Sequence, residues 1–342
     1  MNTSYSNPGR SSGFSLIELL LAMLIGLIIM GGVMQMFITT RDTQRSSEDQ
    51  LTMLGDARFA METIAYDLRH ANMWGRHNYG SIIECQKEPA NALPCPAGHT
   101  MPAATADCAV QEYINIERPL FAADDSNPYS DTCASQSYKT GTDLLTVRYA
   151  DTNRIGTIVL AKDVAYLRTS LNGAALFVAD GSGVLPDFPL VPGWKDNNKS
   201  SNHLLVSRAY YVSDYTDAPG DGLPSLRRSD LLAGPEMISE VLLTGVEDFQ
   251  LEFGVDTGRD GQVDSYVRAS SVSEWGFELG AVRIWLLMRS QRPDKDGIGS
   301  AQTFTIAGNV VNTPNDGYRR YLVSGVVKLR NTYQKGAVRS GG

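Results

Sequence analysis

The chain has 342 residues, 42% of them hydrophobic, with 30 basic and 38 acidic side chains and a formal net charge of −8. That is enough apolar material for one large or two modest domains with a sizeable core. The acidic balance argues against a nucleic-acid-binding face, which is normally basic; the most basic short run, RSQRPDK at 289–295, is too mixed to supply one.

The first element begins at Phe14. From Phe14 to Ile38 there are 25 residues and a single charge, Glu18. At ~1.5 Å per residue this is about 37 Å of helix, enough to cross a hydrocarbon core of ~30 Å. A carboxylate inside such a segment costs roughly 2.5–3.5 kcal/mol, so it needs a partner or a role. A cleaved secretory signal fits poorly, because only Arg10 precedes the run and no small-x-small site follows it. A soluble core helix also fits poorly, because the run is apolar on every face.

The helix is expected to continue. Residues 39–72 contain no proline, and Leu51, Leu54, Met61, Ile64 and Leu68, extended by Ala57 and Ala71, form one apolar stripe. Arg41, Arg45, Glu48, Asp49, Arg58 and Asp67 are expected on the other, polar face. The whole helix spans about 55 residues, or roughly 80 Å. Its first half is apolar all round and its second half has one apolar side. A coiled-coil dimer is the rival for this half, but the heptad run is short and broken by alanines.

The rest, 73–342, reads as a β-rich head. Four cysteines, Cys85, Cys95, Cys108 and Cys133, sit in a turn-rich stretch between 75 and 140. Beyond the inner membrane an even count implies disulfides. Zinc is disfavoured, since there is no C-x-x-C pair. Three pairings are open, and Cys85–Cys95 with Cys108–Cys133 closes the shortest loops. Strands are expected at 143–150 and 156–161, which could pair, and at 203–213, 240–256, 281–290 and 318–331. Residues 172–200 read as loop. One long helix followed by an antiparallel sheet is an α+β arrangement.

Two parts of the sequence resemble a known family. Gly13-Phe14-Ser15-Leu16-Ile17-Glu18 is similar to the prepilin peptidase site of type IV pilins and type II secretion pseudopilins. The resemblance implies a leader (1–13) cut after Gly13, N-methylation of Phe14 with S-adenosylmethionine as the enzyme's methyl donor, and an assembly role for Glu18. Loss of the leader removes Arg10 and brings the net charge to −9. The cut would leave an amine on Phe14, and opposite charges in a low-dielectric setting attract strongly. Glu18 is therefore expected to meet the Phe14 amine of a neighbouring subunit.

Farther on, AYYVSDYTDAPGDGLPSLRRS (209–229), GVEDFQLEFGVDTGRDGQVDSYV (245–267), VRIWLLMRS (282–290) and YRRYLVSGVVKLRN (318–331) resemble the minor pilins of the PilW type. This implies a type IV pilin-like fold: a helix, first transmembrane and then amphipathic, on an antiparallel sheet with disulfide-pinned loops. It further implies a low-abundance subunit that primes pilus assembly at or near the tip and serves adhesion or twitching motility. Other minor pilins, the major pilin, a tip adhesin and the prepilin peptidase would be its partners. It would sit in the bacterial inner membrane with a periplasmic head, and later in the extracellular pilus. Two alternatives stand beside this: a minor pseudopilin of type II secretion, or a tip adhesin with 76–203 as its binding surface.

Candidate chemistry is sparse. In DTGRDGQVD, Asp256, Asp260, Gln262 (through its carbonyl) and Asp264 match positions 1, 5, 7 and 9 of a calcium loop, and Gly261 matches position 6. Gly258 and Val267 stand where positions 3 and 12 need oxygen ligands, so a polar hairpin turn competes with calcium. No cofactor is required on this reading. The histidines, His70, His77, His99 and His203, have no metal or catalytic spacing, and no nucleophile elbow or phosphate loop is present. The expectation is a protein that is not an enzyme.

Overall fold

The computed structural model describes Gly13 and residues 15–76, 83–84, 115–116, 118–129, 137–155, 160–170, 173–183, 185, 200–234, 236–258, 260–272, 275, 278–293 and 301–331. They divide into two units, 1–52 and 53–342.

Helix α1 (Leu16–His70) has the 55 residues its pattern predicts. In the first unit its side chains are exposed on every side, from Leu16 through Ile38 and beyond, and the segment is long and apolar enough to cross a membrane. Just past the apolar run, Thr39, Thr40, Thr43 and Ser47 donate their hydroxyls to main-chain oxygens four residues back. A hydroxyl satisfied on its own helix needs no outside partner.

In the second unit α1 buries Met53, Ala57, Ala60, Ile64, Ala65, Asp67 and Leu68. Two expectations fail here. Leu51 is 69% exposed, and Asp67, assigned to the polar face, is fully buried. The stripe packs on a core supplied by two sheets: Leu145, Val147 and Tyr210 from one, Phe249, Leu251 and Ile284 from the other.

The first sheet comprises β1 (Ile83–Glu84), β2 (Leu120–Ala123), β3 (Leu144–Ala150), β4 (Ala165–Thr169), β5 (Ala174–Val178), β6 (Ser201–Ser213), β7 (Ser225–Leu232) and β8 (Glu236–Thr244). Its order is β1-β5-β4-β6-β3-β2, with β7 on β6 and β8 on β7. The long β6 holds it together, pairing with β4 through 201–204, β3 through 205–210 and β7 through 208–213. The second sheet is antiparallel, in the order β10 (Ser265–Arg268), β9 (Val246–Val255), β11 (Leu279–Arg289), β14 (Arg320–Lys328). A hairpin of β12 (Thr303–Ile306) and β13 (Asn309–Asn312) stands apart from both.

The strand expectations hold in the main and fail at three places. The predicted strand 240–256 is two strands in different sheets, broken at Gly245 (φ +78°). A Cβ there would lie 2.6 Å from the Arg289 carbonyl oxygen, so the chain can turn and pass only as glycine. Residues 174–178, read as loop, form β5, buried from Ala174 to Phe177 without alternation. Strand β3 pairs with β2 and β6 rather than with 156–161, of which 156–159 lie outside the described residues. One short pair, β1 with β5, is parallel. The four cysteines also lie outside the described residues.

Candidate functional site

The first candidate is the start of α1. Gly13 is exposed and Phe14 lies outside the described residues. Glu18 is the third residue of the helix, and its Oε2 accepts the Ser15 amide at 3.2 Å, while the Ser15 carbonyl accepts the Leu19 amide. This is half of a capping box. The carboxylate satisfies an amide that the helix leaves over, and it stands at the positive end of the helix dipole. Glu18 thus has a local role that the sequence reading missed, though Ser15-x-x-Glu18 signals it.

The second candidate is the seat of α1 in the head. The buried Asp67 carboxylate takes three donors: Arg208 Nη1 at 2.7 Å and Tyr149 OH at 2.8 Å on Oδ1, and the Tyr210 hydroxyl on Oδ2. The Arg208 Nε holds Asp230 at 2.7 Å, and Asp230 holds Arg228 at 2.7 Å. Burial, and then the negative Asp67 beside them, push both tyrosines above their ordinary range. Burial works against the charge on Arg208, but Asp67 and its other partners outweigh it and strengthen the guanidinium's hold on its proton. A carboxylate with three donors can be buried; one stripped of them cannot. The sequence carried a faint signal, an acid only about 60° round the helix from Ile64.

The DTGRDGQVD loop is a turn between β9 and β10. Asp256 is fully buried and accepts the amides of Asp260 at 3.2 Å and Gly261 at 2.7 Å. Asp264 accepts the Thr257 amide and hydroxyl and the Gly258 amide at 2.7–3.0 Å, which lowers its affinity for a proton. Asp260 accepts the Gln262 amide at 2.9 Å. A calcium ion would compete with these donors for the same oxygens. The acidic turn DAPGDG is built alike: the Asp221 carboxylate accepts the amides of Thr216, Asp217 and Leu223, and those bonds bring its pKa to about 2.

Three other carboxyls do converge among the described residues: Asp124, Asp125 and Asp143, whose oxygens lie within 4.8 Å of one another. The Arg268 guanidinium clamps the first two, with Nε 2.8 Å from Asp124 and Nη2 2.7 Å from Asp125. Asp143 is fully buried and accepts the Asp125 and Leu251 amides. Burial pushes its pKa up to about 7. Arg268 meets the charge of the first two, and among the described residues Asp143 is held by the two main-chain amides alone.

His203, unremarkable in the sequence, is buried with Nε2 2.9 Å from the Ser201 hydroxyl and Nδ1 2.7 Å from the Asp151 carbonyl oxygen. It pins β6 to the segment after β3. His70 contacts the Tyr66 carbonyl one turn back in α1.

The comparisons with known proteins fall on these same two ends of the chain. Residues 9–34 match the prokaryotic N-terminal methylation motif, and residues 209–331 match the family described as type IV pilus-assembly protein W. Over these residues the chain is similar to PilW-type pilus-assembly proteins. The second match runs from within β6 to just past β14, so it includes Arg208's neighbours on the sheet and the whole second sheet. The solved structure of a type IV-like pilin from Thermus thermophilus is similar over 59% of this chain and 83% of its own, at 13% identity and a TM-score of 0.28. A likeness that loose adds nothing to the family match. No curated protein matches. The matched families are structural pilus families rather than enzyme families.

Proposed function

We propose that the protein is a minor pilin that primes type IV pilus assembly and takes its place at or near the tip. The observation that carries this reading is the pairing of a processing motif and an exposed apolar helix with a PilW-family head seated on the same helix. Before assembly it is held in the inner membrane by residues 14–38, with the head in the periplasm; afterwards it is extracellular. Its partners are the prepilin peptidase, the other minor pilins, the major pilin and a tip adhesin. Its part is structural, not catalytic.

Processing exposes the Phe14 amine, and Glu18 then exchanges the Ser15 amide for the amine of an adjacent subunit, a stronger, charge-assisted contact. Cys85, Cys95, Cys108 and Cys133 close two disulfides in the oxidising space outside the membrane. Calcium at Asp256, Asp260, Gln262 and Asp264 is a subordinate proposal. Calorimetry on the full chain decides it, and an absence of calcium heat removes it.

The main reading is tested by mass spectrometry and pilus shearing. The mature chain is expected to begin at methylated Phe14. Glu18→Ala is expected to be processed at Gly13 yet missing from sheared pili. Normal incorporation of that variant would overturn the role given to Glu18.

A further inference from the structure

A polar cleft of 330 Å³ opens in the head where the first sheet's β6–β7 turn meets the ends of β9 and β11. Tyr138, Lys139, Asp214, Gly222, Glu247 and Arg289 line it. This is the size of a single side chain or a chain end, at the small limit of ligand pockets.

Its walls are held fixed. The Asp221 carboxylate gathers the amides of the 216–223 turn. The Thr216 hydroxyl and the Arg227 Nη2 close the turn on itself, each at 2.8 Å from a main-chain oxygen. The segment before β3 is tied to the end of β6 by the Lys139 amide on the Val212 carbonyl.

Its cations are incompletely met. The Lys139 ammonium has three N–H groups and, among the described residues, one hydrogen-bond acceptor, the Glu247 carbonyl. Burial holds its pKa below the usual lysine range. The Arg289 guanidinium lies over the Tyr318 ring, 4.4 Å from its centroid, and donates Nη2 to the Gly222 carbonyl. Its Nε is buried without a hydrogen-bond partner among the described residues. Glu247 meets it only as a long ion pair, Nη1 3.9 Å from Oε1 and too far for a hydrogen bond, while Arg320 takes both Glu247 oxygens at 2.5 and 3.0 Å. Asp214 adds a carboxylate that accepts no side-chain hydrogen bond among the described residues.

Two half-buried cations with spare donors, beside one spare acceptor, complement a carboxylate that has a hydrogen-bond donor next to it. Protein chains offer this in two forms, a C-terminus and an acidic side chain. We propose that this cleft is a recognition site for a carboxylate presented by another protein chain, taken by Arg289 and Lys139, with Asp214 accepting from the donor beside it.

The test is an NMR titration of the full chain in detergent micelles, read at the Arg289 side-chain N–H signals and the Lys139 and Gly222 amides. Four probes are added separately: acetyl-glycine for a C-terminus, acetyl-aspartate amidated at its α-carboxyl alone for an acidic side chain, acetyl-glycine-methylamide as the neutral control, and inorganic phosphate. A saturable shift with either carboxylate and none with the neutral probe is expected, and the tighter carboxylate identifies the source. Lys139→Met should weaken binding about tenfold. Arg283, six residues back along β11, paired with Glu252 at 2.9 Å and not lining the cleft, serves as the reference for non-specific shifts. Shifts that never saturate, that match those at Arg283, or that phosphate produces more tightly than either carboxylate overturn the proposal. The wild-type titration decides the matter even where the variant does not fold.

Discussion

The two halves of α1 share one helix and little else. Residues 16–38 expose Leu, Ile, Met and Phe in every direction, while residues 53–70 hide one stripe and show the rest to solvent. The first half is left for something outside the chain, which on the proposed reading is lipid before assembly and neighbouring subunits after it. The second half is completed by its own head, through alanines that allow close approach and a carboxylate that fixes the register. Hydrophobicity decides where the first half goes; a specific polar bond network decides how the second half sits.

That contrast can be broken most sharply at Asp67. Asp67→Ala leaves Arg208 charged and Tyr149 and Tyr210 without their acceptor. It is expected to cost about 3–5 kcal/mol, measured by denaturant unfolding of the full chain in micelles and followed by tryptophan fluorescence, since Trp74 is fully buried. A change below about 1 kcal/mol would show that packing alone seats the helix. Ile64→Ala, in the same stripe, is expected to cost about 2–5 kcal/mol by leaving a cavity between the two sheets.

The head also holds a buried carboxyl without a cation of its own, and this sharpens the contrast with Asp67. Asp143 titrates near 7 in the folded state against 3.8 ordinarily. Its contribution to stability is fully present below about pH 4. It is lost as pH rises toward 7, because the unfolded chain ionises freely while the folded chain resists; above that it levels off. A decline of up to about 4 kcal/mol follows from the shift. Asp143→Asn should flatten this slope whatever it does to the overall level, since its amide would face an N–H donor. An unchanged slope would mean that other groups carry the pH dependence. Arg268 pairs with the neighbouring Asp124 and Asp125.

The smallest effect is expected at Leu51. It fits the sequence stripe but is exposed, so Leu51→Ala should change stability by no more than about 0.5 kcal/mol.

Periodicity made the length of α1 and the strands at β3, β6 and β11 legible in the sequence, and the resemblance of residues 13–18 to a known processing site made the N-terminal motif legible. Three things were not. Asp67 looked like a solvated acid because its three partners come from strands about 80 and 140 residues away, and no local pattern encodes them. The break at Gly245 was invisible because β8 and β9 are both strand-like, and only their membership of different sheets requires the turn. The cleft at Lys139 and Arg289 was hidden because its donors are 150 residues apart and each alone reads as an ordinary surface cation. The acidic loop at 256–264 was legible as an oxygen-rich turn, but amides and ions attract the same carboxylates, and spacing does not choose between them.

The most direct measurement is a count of surface pili by electron microscopy in a strain lacking this gene, complemented with the wild-type copy or with Glu18→Ala. A sharp loss of pili, restored by the wild-type copy and not by the variant, is the predicted result. Normal pili in the deletion strain would contradict a role in priming assembly and shift the reading to a secretion pseudopilin or an accessory adhesin.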